Sequence, residues 1–168
     1  GQEGYSFTHN FLSDLGGYSS HSSEQNFLSN FFFNMSMFVF ALVGIAFLWI
    51  PQLFREDALN WYLSCLGSFF LFIGTLFFAG VGLTPYDLYL DIHIFFALNA
   101  FRLMVPGCLC FLIVLLRSNV QKRYAFIAGF YLFSVVAYVC YQLLSTGNPF
   151  EDINEMIRQA TIQKIIVI

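Results

Sequence analysis

Asp87, Asp91 and His93 bring two carboxylates and an imidazole into one short stretch, Tyr86-Asp87-Leu88-Tyr89-Leu90-Asp91-Ile92-His93. On a helix, Asp87 and Asp91 share a face, and His93 points elsewhere from the same turns. Such a set can hold a divalent cation, shuttle a proton, or serve as general acid and base. Asp87 also suits a helix N-terminus, where its charge opposes the positive end of the dipole, and that capping role is the preferred one for it. Asp91 and His93 lie deeper in an apolar run, where ionisable groups are functional by default.

Three further polar features call for an explanation. Asn26, Asn30 and Asn34 are spaced i, i+4 and i+8, so their amides descend one helix face and can line a headgroup pocket or hydrogen-bond a neighbouring helix. Interhelical bonding is the expectation for Asn34, and the two shallower residues fit either role. Arg102 sits ~14 residues into its apolar run, ~20 Å down a helix axis and near mid-membrane. A charge there costs about 2.5 to 3.5 kcal/mol on insertion scales and needs company. An Asn, a backbone carbonyl freed by Pro106, or a carboxylate in a helix missing from this chain can provide it. Arg102 is therefore expected to organise a buried polar network reaching outward to His93 and Asp91. Finally, Phe11-Leu12-Ser13-Asp14-Leu15-Gly16 combines apolar anchors with a carboxylate. Passive docking by Phe11, Leu12 and Leu15 is the preferred reading, and the alternative is that it brings Asp14 to the Asp91 and His93 cluster.

The elements that position these groups follow from hydropathy. The chain is 58% hydrophobic, 20% aromatic and only 10% charged, against roughly 25% charged residues in a soluble domain. Apolar stretches at 27–54, 59–83, 88–116 and 124–144 each exceed the ~20 residues a helix needs to cross a bilayer. This predicts an all-α polytopic bundle, one domain over residues 1–168. The chain opens without Met, and Ile165, Ile166, Val167 and Ile168 begin a new apolar run. A fifth span starting near Asn154 and another before Gly1 are therefore expected.

Arg55 lies in the first interspan loop, and Arg117, Lys122 and Arg123 in the third, whereas the opening segment and the second loop have no Lys or Arg. The positive-inside rule places loops 55–58 and 117–123 in the cytoplasm and residues 1–26 outside. Pro106, inside the third span, is expected to kink or open it. Gly67 and Gly74, with Ser64, Ser68 and Thr75, mark a face for close helix approach. Cys65, Cys108, Cys110 and Cys140 all fall in apolar segments and show no Cys-x-x-Cys spacing, so they are read as packing residues and no metal site is assigned. The net charge of -3 without a basic stripe excludes nucleic acid as a partner. Membrane lipid is the obligatory partner, and partner subunits are a further expectation.

The Phe11 to Gly16 run, the Asn-rich entry with Phe33-Asn34, and Asp91-Ile92-His93 resemble the bacterial and archaeal membrane family catalogued as domain of unknown function 998, itself distantly similar to the FRAG, DRAM and Sfk group. The resemblance covers about Phe7 to Arg102. It implies a prokaryotic plasma membrane protein, a span ahead of the Ser-Asp-Leu-Gly segment, and a joint site of Ser13, Asp14, Asn34, Asp91 and His93. It implies no activity and no cofactor.

The leading functional expectation is a binding or accessory protein whose outer polar pocket recognises a lipid headgroup, small ligand or partner subunit. A membrane-embedded lipid hydrolase or transferase using Asp14, Asp91 and His93 is an alternative, weakened by the lack of a nucleophile motif and by a single intramembrane His. That single His also disfavours haem. A proton or small-ion transporter using Arg102 and the Asn stripe is the third reading.

Overall fold

A computed structural model describes residues 10–19, 24–145 and 152–167. Its five helices are α1 (Phe27–Gly44), α2 (Ala58–Leu83), α3 (Leu90–Arg117), α4 (Lys122–Leu144) and α5 (Ile153–Val167), preceded by a 3-10 turn at Leu12–Gly16. No strand occurs among the described residues beyond an isolated Ser19–Gln25 bridge. The first span is completed by 3-10 turns at Ile45–Leu48 and Ile50–Phe54, so it ends tightened rather than as regular α-helix. Pro51 enters at the start of the second 3-10 turn, where its missing amide proton is not needed.

Local chemistry sets the other boundaries. Asp57 caps α2 by accepting a hydrogen bond from the Asn60 amide at 2.7 Å. α3 begins two residues later than hydropathy suggests because Pro85 starts a separate turn, with the Leu88 and Tyr89 amides donating to its carbonyl. At the far end, Lys122 Nζ donates to the Leu116 and Ser118 carbonyls at 2.8 and 3.3 Å, satisfying groups that the end of α3 leaves open. Pro106 is carried within α3, which runs without interruption.

α2 is the centre of the bundle, packed on α1 and α3, while α4 packs on the other side of α3. The small-residue face predicted for α2 is at this seam, with Ser64, Gly67, Ser68, Gly74 and Thr75 all buried. A Cβ placed on Gly107 would lie 2.7 Å from Leu71 and 3.2 Å from the Gly67 carbonyl oxygen, so the two backbones meet with no room for a side chain. Gly107→Val is therefore expected to destabilise the protein by about 1 to 3 kcal/mol through overpacking, measured by detergent-titrated unfolding. An unchanged unfolding midpoint would show that the seam can yield.

Beside the seam, Leu71, Met104, Cys108 and Val135 form a core flanked by Phe47, Phe78 and Phe111. Only 11% of the apolar stretch of the first and fourth spans is buried, against 50% in the second. Their outer surfaces expose Phe32, Phe40, Phe126, Phe130 and Phe133, an arrangement that only lipid solvates well. The protein is an integral membrane helix bundle, with four helices long and apolar enough to span among the described residues. Of the cysteines, Cys108 and Cys110 are buried and Cys65 partly so, but Cys140 is exposed and faces outward.

Candidate functional site

Residues 10–19 form a strap across one end of the bundle. Its 3-10 turn is closed locally by Asp14, whose Oδ2 accepts from the Phe11 amide at 3.0 Å. The turn then ends in carbonyls that a helix terminus leaves open, and the Asn stripe meets them. Asn26 Nδ2 donates to the Leu15 and Gly17 oxygens at 3.4 and 3.3 Å, and Asn30 Nδ2 to the Gly16 oxygen at 2.6 Å. Ser29 Oγ adds a bond to the Leu15 oxygen at 2.9 Å.

Asn26 and Asn30 are thus clamps on the strap, a role apart from both the headgroup pocket and interhelical bonding considered for them. Asn34 lies one turn deeper, with its Oδ1 buried and without a hydrogen-bond partner among the described residues, so that oxygen does not make the expected interhelical bond there. Asn30→Ala is expected to cost about 1 to 3 kcal/mol by stranding the Gly16 carbonyl. The strap should then become more sensitive to protease than α1 to α4, and equal protection in wild type and variant would contradict this.

Asp87 does not cap α3. The N-cap is Tyr89, and Asp87 instead receives the strap, accepting from the Tyr18 and Ser19 amides at 3.0 and 2.8 Å. The Pro85 turn places its carboxylate outside the helix end, facing those two amides. The strap also reaches α5: the Leu12 amide donates to Gln163 Oε1 at 3.3 Å, and Lys164 Nζ donates to the Asn10 oxygen.

Below the strap, between α3, α4 and α5, lies a cavity of about 370 Å³. Its lining combines the polar side chains of Ser13, Asp14, Tyr86, His93, Gln142, Gln159 and Gln163 with the apolar ones of Leu90, Ile94, Ala97 and Leu98. His93 is buried, with Nδ1 2.6 Å from the Thr84 oxygen. A carbonyl only accepts, so Nδ1 carries the proton, and in the neutral ring Nε2 is an acceptor. The Tyr86 hydroxyl is pushed up to about 12 by burial, and the nearby Asp14 and Asp87 carboxylates add to the effect. It therefore stays a protonated donor at any physiological pH. Gln142 Oε1 is buried with no hydrogen-bond partner among the described residues.

The α5 side of the cavity is held by Glu155. Its Oε1 accepts from Ser145 Oγ at 2.7 Å and Gln159 Nε2 at 2.8 Å, and its Oε2 pairs with Arg158 at 2.6 Å. These bonds tie the end of α4 to the first turns of α5.

Of the residues singled out from sequence, the fold brings Ser13, Asp14 and His93 to one cavity and leaves Asp91 and Arg102 out of its walls. Asp91 is exposed because the helix turn that directs His93 inward carries it outward. The carboxylate pair and imidazole therefore do not assemble as one set, and no group of three potential His, Cys, Asp or Glu metal ligands exists among the described residues. Arg102 is exposed on the outer face of α3, so it does not organise a buried network with His93 and Asp91.

Sequence reasoning did not single out Tyr86, Gln142, Gln159 or Gln163. Gln159 and Gln163 are spaced i, i+4, the same signal that marked the Asn stripe, and Gln142 is a lone amide in the last turns of an apolar helix.

Comparison with curated proteins finds no match, and neither does comparison with solved structures. The sequence profile described as "Protein of unknown function (DUF998)" matches residues 1–151, further along the chain than the Phe7 to Arg102 region in which the resemblance was read. With four apolar helices and a match over most of its length, the chain belongs to the DUF998 family of membrane proteins of unknown function.

Proposed function

We propose that the protein is a binding protein that holds the polar end of an amphiphile, a lipid headgroup with hydrogen-bond donors, in the cavity beneath the strap. The observation that carries this reading is one cavity lined both by polar side chains and by Leu90, Ile94, Ala97 and Leu98 of α3. His93 Nε2 and Gln142 Oε1 are acceptors there, so a primary ammonium suits them better than a trimethylated one. The volume of about 370 Å³ falls in the range of small-ligand sites. Arg55, Arg117, Lys122 and Arg123 lie around the opposite ends of the helices, which supports an extracytoplasmic cavity open to the outer leaflet.

Native mass spectrometry of the purified protein with phosphatidylethanolamine and phosphatidylcholine tests the reading. Phosphatidylethanolamine is expected to bind at least about tenfold more tightly, a difference of ~1.4 kcal/mol. Gln142→Leu, which removes an acceptor from the cavity and also ends the hydrogen bond between Gln142 and Tyr138, should abolish that preference while the variant still folds, with a stability loss of about 0.5 to 1.5 kcal/mol. Equal retention of both lipids, unaffected by Gln142→Leu, would sink the proposal.

A further inference from the structure

Arg102 points away from both helices that pack on α3. The buried residues of this helix, Ala100, Phe101, Met104, Gly107 and Cys108, face the seam, and Phe95, Arg102, Leu109 and Leu116 recur every seventh residue on the exposed side. Phe95, Leu109 and Leu116 are 55%, 47% and 56% exposed. Lipid solvates the apolar members of such a face but not a charge, so Arg102 is the member that calls for a second helix. Arg102 lies ~18 Å along the axis from Leu90, too deep for its side chain to reach a headgroup without distorting the bilayer.

The companions open to Arg102 from sequence are reduced by the fold. Asn26 and Asn30 are committed to the strap, and Asn60 accepts from Arg117 Nε. The carbonyl freed by Pro106 is Arg102's own, four residues earlier in the helix. No hydrogen bond or ion pair of Arg102 is present among the described residues. α1, α2 and α4 contain no Asp or Glu, and the one carboxylate in α3, Asp91, is ~16 Å away along the axis. A second copy inserted in the same orientation would place its own Asp91 at that same wrong depth.

We infer that the Phe95–Arg102–Leu109–Leu116 face of α3 docks a transmembrane helix of another polypeptide that carries an Asp or Glu at mid-membrane depth. The apolar residues provide the packing surface, and the ion pair within lipid selects the partner, because a carboxylate left alone at that depth is as unfavourable as the arginine. This surface is separate from the cavity, and loss of one need not affect the other.

The test is a photo-reactive amino acid at Leu109 in the full-length protein, irradiated in its native membrane. The expected result is an adduct to a different polypeptide whose cross-linked peptide is a membrane span containing Asp or Glu. Arg102→Glu should lower the yield at least tenfold, and changing the mapped carboxylate to Arg should restore it. Arg102→Leu, which relieves the insertion cost and is expected to fold, should lose the adduct while keeping the wild-type unfolding midpoint. Adducts to lipid alone, to a second copy, or to another segment of the same polypeptide would each overturn the inference. So would a yield indifferent to Arg102→Glu.

Discussion

Gly44→Ala will destabilise the bundle by about 3 kcal/mol, the upper part of the usual range for overpacking. A methyl carbon added at Gly44 would sit 2.7 Å from Thr75 Cβ and 3.0 Å from its Cγ2, closer still to Oγ1. Thr75 is 1% exposed, and its Oγ1 is held by the Phe72 carbonyl at 2.7 Å. Rotating the side chain cannot relieve a clash at Cβ, so α1 and α2 must separate along their contact. The compensating change is Thr75→Gly, which returns the missing volume from the other side at the cost of about 1 kcal/mol for a glycine inside a helix. The double variant should recover most of the loss, giving a coupling of at least about 1.5 kcal/mol in a double-mutant cycle. Additive effects of the two substitutions would mean that the helices do not approach as closely here as the geometry requires.

Gly16→Val is expected to act on binding rather than on the bundle. Gly16 is buried at the end of the strap's turn, and a Cβ there would come within 2.7 Å of Phe33 Cε1 and 3.2 Å of Asn34 Oδ1. Phe33 is itself 9% exposed, inside the turn-to-helix contact, so the strap rather than α1 has to move. Lifting it takes Phe11, Ser13 and Asp14 off the cavity and strains the Asn30 bond to the Gly16 oxygen. Phosphatidylethanolamine binding should fall at least about tenfold, ~1.4 kcal/mol. The detergent-titrated unfolding of α1 to α4 should change little, since the strap contributes none of the α2 and α3 seam. Wild-type binding by this variant would separate the strap from the cavity's function, and a collapsed bundle would show that the strap is part of the core.

The spans were legible because a bilayer imposes one length and one polarity on any helix that crosses it. Hydropathy alone therefore located all four to within two residues at either end. The small-residue face of α2 was legible for a related reason, since without water to drive association only close backbone approach holds helices together. Asp14 and His93 stood out as polar groups near or inside apolar sequence, Ser13 was marked only by the family resemblance, and the three line one cavity.

What sequence left undecided was direction. Asp91 and His93 are two residues apart, yet one is exposed and the other buried, because a helix turns ~200° between them and only the neighbouring helices define which side is inside. Arg102 was given the wrong company for the same reason, since it is exposed on α3 rather than turned towards His93. Asp87 satisfies strap amides 68 and 69 residues away in sequence, and Asn26 and Asn30 satisfy strap carbonyls 9 to 14 residues away, a match between donors and acceptors that no local pattern contains. Composition and periodicity thus determined that the chain is a membrane bundle and which residues are unusual. Tertiary packing decided which of them share a cavity, because that depends on the rotation of each helix about its own axis.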